Sequence, residues 1–333
     1  MRRTCAAAAA SAAGLGLIAW LVWWVGLEML LESLQAADWG GLMLLCLASV
    51  VPTVLLGAAW QSLMPSSQQV PLKDFVLARM VRDALADISP LTVVGGMVAS
   101  IRVMILRKLL PAYSIASAAV DATTETVAQA VFIVLGIAIC IAKLESLPNE
   151  ANYYEALTAG SLIIVIAILL VIAFNNGGGK WARGLTLRLL PWFRVEQTSL
   201  WALYEMFSSY QRLAASCALH FAAWVGGGLI TYVGFTLVGA EISLLEAFAI
   251  EALLCLVKSA GVFVPASLGV QEAGYAILAP LFGIPSELGL AVSLLRRARD
   301  VLAGVPALIV WQVLEGKGLW HRRVGPAVKA GGA

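Results

Sequence analysis

Acids and bases recur in this sequence where it is otherwise apolar. Asp121, Glu125 and Gln129 are spaced by four within one long apolar run, so a helix sets them on a single face. Arg296, Arg297, Arg299 and Asp300 cluster inside a second run, and Lys258, Gln271 and Glu272 flank a break in a third. A charge at the centre of a bilayer costs about 2.5–3.5 kcal/mol on insertion scales, so such residues pair with one another or line a wet path. On the structural reading, Asp121 or Glu125 pairs with Arg296 or Arg299 and ties two parts of the chain together. On the functional reading, the cluster lines a polar cavity, where a surplus arginine suits an anionic or polar headgroup.

The other familiar chemistries have no support in the residue pattern. There is no activated nucleophile, and no glycine-rich phosphate loop follows a strand. The five cysteines (Cys5, Cys46, Cys140, Cys217, Cys255) contain no CxxC pair, and His220 and His321 are the two histidines. Neither a disulfide frame nor a zinc site is expected. The expectation is a protein that is not an enzyme, carries no cofactor and binds no nucleic acid.

The elements that must hold these charges are membrane helices. The chain is 61% hydrophobic and 13% charged, and several apolar runs reach the ~20 residues that span a bilayer. The fold class is all-α, a polytopic integral membrane protein. Six full spans are expected, at about 15–31, 42–64, 113–141, 156–174, 213–238 and 287–314. The start of the first, after Arg2 and Arg3, looks like a signal peptide, but its length and its Trp20, Trp23 and Trp24 read as a retained span. Pro52 and Gly57 predict a kink in the second.

Two apolar stretches do not span. Leu253–Ile284 is broken by Pro265, Gly269, Gln271 and Glu272. Proline removes a backbone donor and glycine weakens a helix, so each half is too short to cross. Two half-helices that dip in and return are expected, with the turn lining a site, because broken backbone at membrane depth survives only inside protein or against a cavity. The alternative is a kinked helix with a structural Glu272. The stretch Ile88–Ile101 is a second such piece, with Pro90, Gly95 and Gly96. The polar segment Pro65–Asp87 before it reads as a charged flank. Further on, Trp201, Tyr204, Phe207 and Tyr210 recur every three residues and predict a helix lying among headgroups.

Lysine and arginine orient the chain. The N-terminus, the segments around 73–108 and 180–212, and the tail hold 17 of 22 basic residues. With six spans and two returning dips they fall on one side, the cytoplasm, together with both termini. The same order exposes a repeat. Pro90 and Pro265 are 175 positions apart, as are Met97 and Glu272, Asp121 and Arg296, and Glu125 and Asp300. The expectation is an inverted-topology repeat with a site between the halves. Its parts are a first membrane repeat at 1–145, a second at 146–316 with a basic cytoplasmic segment at 175–212, and a tail at 317–333.

Val257–Tyr275, with Leu294–Val301 after it, resembles the signature of the flippase-like lysylphosphatidylglycerol synthase transmembrane family. Together with Ser89–Pro90, Gly95–Gly96 and Val120–Glu125, nearly the whole chain is similar to the hopanoid-biosynthesis-associated branch. The resemblance implies a bacterial inner-membrane protein with a lipid as cargo, a hopanoid or a related polyisoprenoid-derived lipid. It implies roles for Pro265, Gly269, Gln271, Glu272, Arg296, Arg297 and Asp300. Relatives carry Gly-Gly-Glu where this chain reads Gly95-Gly96-Met97, which leaves Glu272 as the carboxylate of the dips. The soluble aminoacyl-transferring part of larger relatives is not expected here. Translocation is the first reading, with the headgroup on Arg296, Arg299 and Glu272 while the halves rock. An accessory role beside hopanoid-modifying enzymes is the second.

A cysteine placed at Asn149 is expected to react with an impermeant outside reagent and one at Gly178 is not. Equal labelling at both would sink the six-span arrangement.

Overall fold

The computed structural model describes residues 39–88, 92–144, 197–260, 267 and 269–324. Among them, regular structure is helical throughout. Helix α1 covers Trp39–Ser62, α2 Leu72–Ile88, α3 Thr92–Leu106 and α4 Pro111–Leu144. Then come α5 at Gln197–Phe207, α6 at Tyr210–Leu237, α7 at Leu244–Ala260 and α8 at Val270–Leu278. A 3-10 turn at Ala279–Phe282 leads to α9, Ser286–Val324.

Among the described residues, three helices are long and apolar enough to cross a membrane: Trp39–Ser62, Pro111–Lys143 and Tyr210–Leu237. They coincide with the second, third and fifth expected spans. Their outer faces stay apolar and exposed, with Leu47, Val51, Val131, Leu135 and Leu229 among them. That is the surface a protein in lipid presents. The expected spans at 15–31 and 156–174 lie outside the described residues. The sixth lies within α9, whose 39 residues carry the arginine cluster and extend past the expected start of the tail at 317.

Both broken stretches are helix hairpins, and both begin earlier than the sequence pattern indicated. Residues 72–88, expected as a charged flank, form the first arm of a hairpin in which α2 packs on α3. Phe75, Ala78, Val81 and Leu85 of α2 are buried together with Val103 and Met104 of α3. The second hairpin is α7 followed by α8, packed on each other, so its first arm starts at Leu244 rather than Leu253. Pro90 and Pro265 lie in the connections, outside the described residues. Gly269, with φ of 74°, caps the start of α8 in a conformation that favours glycine.

Corresponding elements keep the spacing read from the sequence. Ser62 and Leu237 end α1 and α6, and Pro111 and Ser286 begin α4 and α9, each pair 175 positions apart (237 less 62; 286 less 111). The packing follows the same correspondence. Helix α1 packs on α6, α2 on α9 and α7 on α4. Helix α1 is interrupted for one residue at Ser49, three residues before Pro52. Proline 52 has no N–H to offer the carbonyl of Ala48. Helix α5 buries Ala202 and Met206 while Trp201, Tyr204 and Phe207 stay exposed, as does Tyr210 at the start of α6. It packs on α4.

A Cβ on Gly96 would lie 2.4 Å from the backbone carbonyl oxygen of Arg82, so the two arms of the first hairpin touch there. Gly96→Ala is expected to force them apart at a cost of about 1–3 kcal/mol. Gly316→Ala, with open space around it, is expected to be neutral or slightly stabilising. Thermal unfolding of the two variants in detergent checks this; equal melting temperatures would remove the close approach from the account.

Candidate functional site

The interior charges form separate bonded groups. In the first, α2 supplies the bases and α4 the acids. Arg79 grips Glu125 with both terminal nitrogens, Nη1 to Oε2 at 2.9 Å and Nη2 to Oε1 at 2.5 Å, and its Nε donates to Asp83 at 2.9 Å. Arg82 spans the acids of the α4 face, donating to Asp121 at 3.0 Å and to Glu125 at 2.8 Å. From α6, His220 meets the other oxygen of Asp121 at 3.1 Å. The i, i+4 spacing on α4 makes this possible, because it stacks both carboxylates on one face opposite the two arginines. Two-pronged arginine–carboxylate contacts are among the stronger polar interactions available.

In the second group the signs are reversed. Helix α7 supplies an acid, Glu251, and α9 a base, Arg296. Arg296 donates to Glu251 through both terminal nitrogens, with Nη2 to Oε1 at 3.0 Å. It also donates to Thr231 at 2.7 Å and to the Tyr275 hydroxyl at 2.6 Å. Thr231 in turn donates to Glu251 at 2.5 Å. Each group therefore bridges the corresponding helices of its half, α2 to α4 in one and α7 to α9 in the other.

Between the groups lies a cavity of about 620 Å³. Helices α1, α2, α4, α6, α7 and α9 contribute to its wall, with Met97 from α3 and Gln271 from α8. Its basic side chains are Arg79, Arg82, Lys258, Arg296 and Arg299, and its acidic ones Asp83, Asp87, Glu125, Glu251 and Asp300. Among the described residues five bases face five acids, so this part of the lining is balanced and shows no surplus arginine. The reason lies in the acids: Asp83 and Asp87 come from a segment read as a flank, and Glu251 from an arm read as starting later. Lys258 makes long polar contacts, meeting Asp87 and Gln271 at 3.5 Å each. Both Lys258 and Asp87 keep about a third of their side-chain surface open, at 31% and 37%. Lys258 stands on α7 and Asp87 on α2, so this weak pair joins the two hairpins.

The expected site residues divide into two sets. Glu125, Gln129, Lys258, Gln271, Arg296, Arg299 and Asp300 face the cavity. Arg299 donates to Ser49 at the break in α1, at 3.1 Å, and pairs with its neighbour Asp300. Gln271 is anchored to Ser293 at 3.3 Å. The others stand away from it. Asp121 is fully buried behind Arg82. Glu272 sits in the first turn of α8 and bonds Arg297, which also donates to the Ser267 carbonyl at 3.2 Å. The expected headgroup seat on Glu272 is therefore replaced by a clamp holding the hairpin turn to α9. Gly95 and Gly96 pack in α3, and Gly269 caps α8. The expected pairing of Asp121 or Glu125 with Arg296 or Arg299 is not made: the acids bond α2, and Arg296 bonds α7.

Arg79, Arg82, Asp83, Glu251 and His220 were missed as interior partners. A signal existed for some. Glu251 is a lone acid in Ala247–Leu256, and Arg79, Arg82 and Asp83 fall within about one helical turn.

Two helix hairpins, apolar outer faces and a charge-lined interior define the class: a polytopic α-helical membrane protein with a polar cavity. Residues 11–307 match the family described as the lysylphosphatidylglycerol synthase TM region, and the chain belongs to that family. A UPF0104 membrane protein of Pyrococcus horikoshii is 22% identical over 309 residues, covering 85% of this chain and 90% of its own. No solved structure matches.

Removing one partner of a buried pair leaves an uncompensated charge and costs about 3–5 kcal/mol. Glu251→Gln and Arg296→Gln are each expected to lower the melting temperature strongly, and their double variant is expected to fall less than the sum. Asp121→Asn with Arg296→Gln is expected to add within about 0.5 kcal/mol, because the two share no partner. A double-mutant cycle in detergent reads both, and coupling of Asp121 to Arg296 would contradict the assignment.

Proposed function

We propose that this protein translocates a lipid across a bacterial inner membrane, and that the lipid is a hopanoid or a related polyisoprenoid-derived lipid. The observation that carries the reading is the charge-lined cavity of about 620 Å³ enclosed by apolar-faced helices. That volume lies within the range of about 300–1,000 Å³ common to small-molecule sites. A polar headgroup fits there, while the apolar body of the lipid stays outside among the exposed valines and leucines. The nature of the cargo comes from the resemblance of the sequence.

The architecture behind this reading is six spans and two re-entrant hairpins in an inverted repeat, with both termini cytoplasmic. Supporting it are the offset of 175 between corresponding helix ends, the packing of α2 on α9 and of α7 on α4, and the asymmetry of lysine and arginine. The exposed aromatic face beside α5 then lies among headgroups. Rocking of the halves would open the cavity to one leaflet at a time. The contact between Lys258 and Asp87 is the part that gives way, because it joins the halves through a long bond and competes with a polar headgroup. The protein performs no chemistry on its cargo and needs no cofactor. An accessory role beside hopanoid-modifying enzymes is the second reading; it uses the same family membership and needs no leaflet exchange.

The test uses the purified protein in vesicles containing a hopanoid with a primary amine, titrated from outside with an impermeant amine reagent. Translocation predicts that the whole pool becomes reactive with time, whereas protein-free vesicles expose only their outer leaflet. Lys258→Ala is expected to slow exchange about ten- to a hundred-fold, the equivalent of losing a charged hydrogen bond of about 1.5–3 kcal/mol. A pool that stays half-protected with wild-type protein would favour the accessory role.

A further inference from the structure

The geometry points to a lateral entry site for a lipid with a hydroxyl-bearing headgroup, at the seam between α4 and α7, where Thr126, Gln129 and Ser259 join the cavity to the lipid-facing surface. The two helices run antiparallel, and three pairs mark the seam. At one end Lys143 bonds Glu246 at 2.7 Å. In the middle Gly136 lies so close to Ala252 that a Cβ on the glycine would collide with the alanine side chain. Two turns further on, Gln129 meets Ser259 in a long polar contact of 3.5 Å. The face of α4 that is buried at Ile133 continues as Gln129 and Thr126. There the seam opens: Thr126 and Ser259 are exposed, and all three residues line the cavity. Val127 and Val131, beside them on α4, belong to the exposed apolar surface. Charged cavity and lipid-facing surface are thus contiguous across a short polar rim.

The corresponding seam, α2 against α9, is different. Shifted by 175, Gln129 falls on Gly304 and Ser259 on Ala84 (129 plus 175; 259 less 175). Both of these also line the cavity, but both are buried, Ala84 within an apolar cluster that includes Val301, Ala307 and Leu308. Small apolar residues therefore suffice where two such helices need only to pack. Exposed hydrogen-bonding groups on a helix facing lipid are costly unless something wet or polar uses them.

The rim also sets the class of headgroup. The hydroxyls of Thr126 and Ser259 each donate at 2.7 Å to a carbonyl of their own helix, those of Ala122 and Cys255. What their oxygens keep is the capacity to accept. A headgroup crossing the rim must therefore bring donors, as hydroxyls do, whereas a phosphodiester without hydroxyls brings acceptors alone. Beyond the rim, Lys258 and Asp87 offer partly open side chains of both signs, while the apolar body of the lipid rests on Val127 and Val131. The entry site stands on this geometry; onward passage through the cavity rests on the translocator reading.

The experiment maps photochemical labelling of the full-length protein in phosphatidylcholine vesicles. One probe is a glucosyl diacylglycerol with a diazirine on its sugar, and the other is the same lipid with the diazirine midway along one chain. Mass spectrometry of the peptides is expected to place the sugar label on Thr126, Gln129 and Ser259 and the chain label on Val127 and Val131, with neither on Ala84 or Gly304. Excess unlabelled glucosyl lipid is expected to displace the sugar label, which the choline lipid, already in large excess and without donors, does not. Thr126→Val combined with Ser259→Ala is expected to cut sugar labelling about ten-fold, as loss of two neutral hydrogen bonds does, and to leave the chain label unchanged. Sugar label spread evenly over the apolar surface, equal at both seams, or undisplaced by unlabelled lipid overturns the entry site, and the wild-type map decides this even if the variant folds poorly. Vesicle exchange measured alongside keeps the two ideas apart: rim labelling without exchange removes the translocator and keeps the entry site, and exchange without rim labelling does the reverse.

Discussion

The organisation of this protein turns on compensating charge inside an apolar bundle. A carboxylate or guanidinium placed there is tolerated only with a partner and with its remaining donors and acceptors engaged. Arg296 illustrates how completely this is done, with Glu251, Thr231 and the Tyr275 hydroxyl around one guanidinium. Its positive face also lies 5.9 Å from the centre of the Tyr275 ring. These bonds fix the rotation of α9 relative to α6, α7 and α8. Helix packing alone would leave that rotation less defined, since leucine and alanine surfaces are interchangeable.

The two halves meet this requirement with opposite signs. The first helix of one hairpin carries arginines that reach acids on α4; the first helix of the other carries an acid that reaches an arginine on α9. Corresponding positions 121 and 296 thus hold Asp and Arg without touching each other. Charge reversal between similar halves has a physical use. Each wall of the cavity then presents both signs of charge, with its acids bonded to bases on the same side. The two hairpins meet across the cavity through the long contact of Lys258 with Asp87, while His220 with Asp121 and Arg299 with Ser49, at 3.1 Å each, tie α6 to α4 and α9 to α1. Peripheral pairs add to this frame: Arg102 with Glu315 at 2.6 Å joins α3 to α9, and Lys143 with Glu246 at 2.7 Å joins α4 to α7.

The hairpin turns depend on the same economy. Glu272 neutralises Arg297, and Arg297 also takes up the Ser267 carbonyl beside a residue pair with positive φ, Ser267 at 48° and Gly269 at 74°. A carbonyl freed by a broken helix needs a donor where water is scarce. Met97 occupies the corresponding offset in the first hairpin, faces the cavity and makes no such clamp.

The sequence by itself determined the membrane class, the helical content, the places where helices break and the offset of 175. These depend on composition, on proline and glycine, and on run length, all of which are local. It also determined that Asp121, Glu125 and Gln129 share a face, because the helical period does so wherever the helix lies. Only the tertiary structure decided which charges meet. Asp121 faces α2 and α6 rather than α9, and Glu272 faces Arg297 rather than the cavity, because partners on different helices are set by rotation and crossing, which a one-dimensional pattern does not encode. The charged segment 72–88 was hidden for a related reason. Its arginines and aspartates read as solvated until α4 and α7 supply the buried partners that make a charged helix stable in the interior.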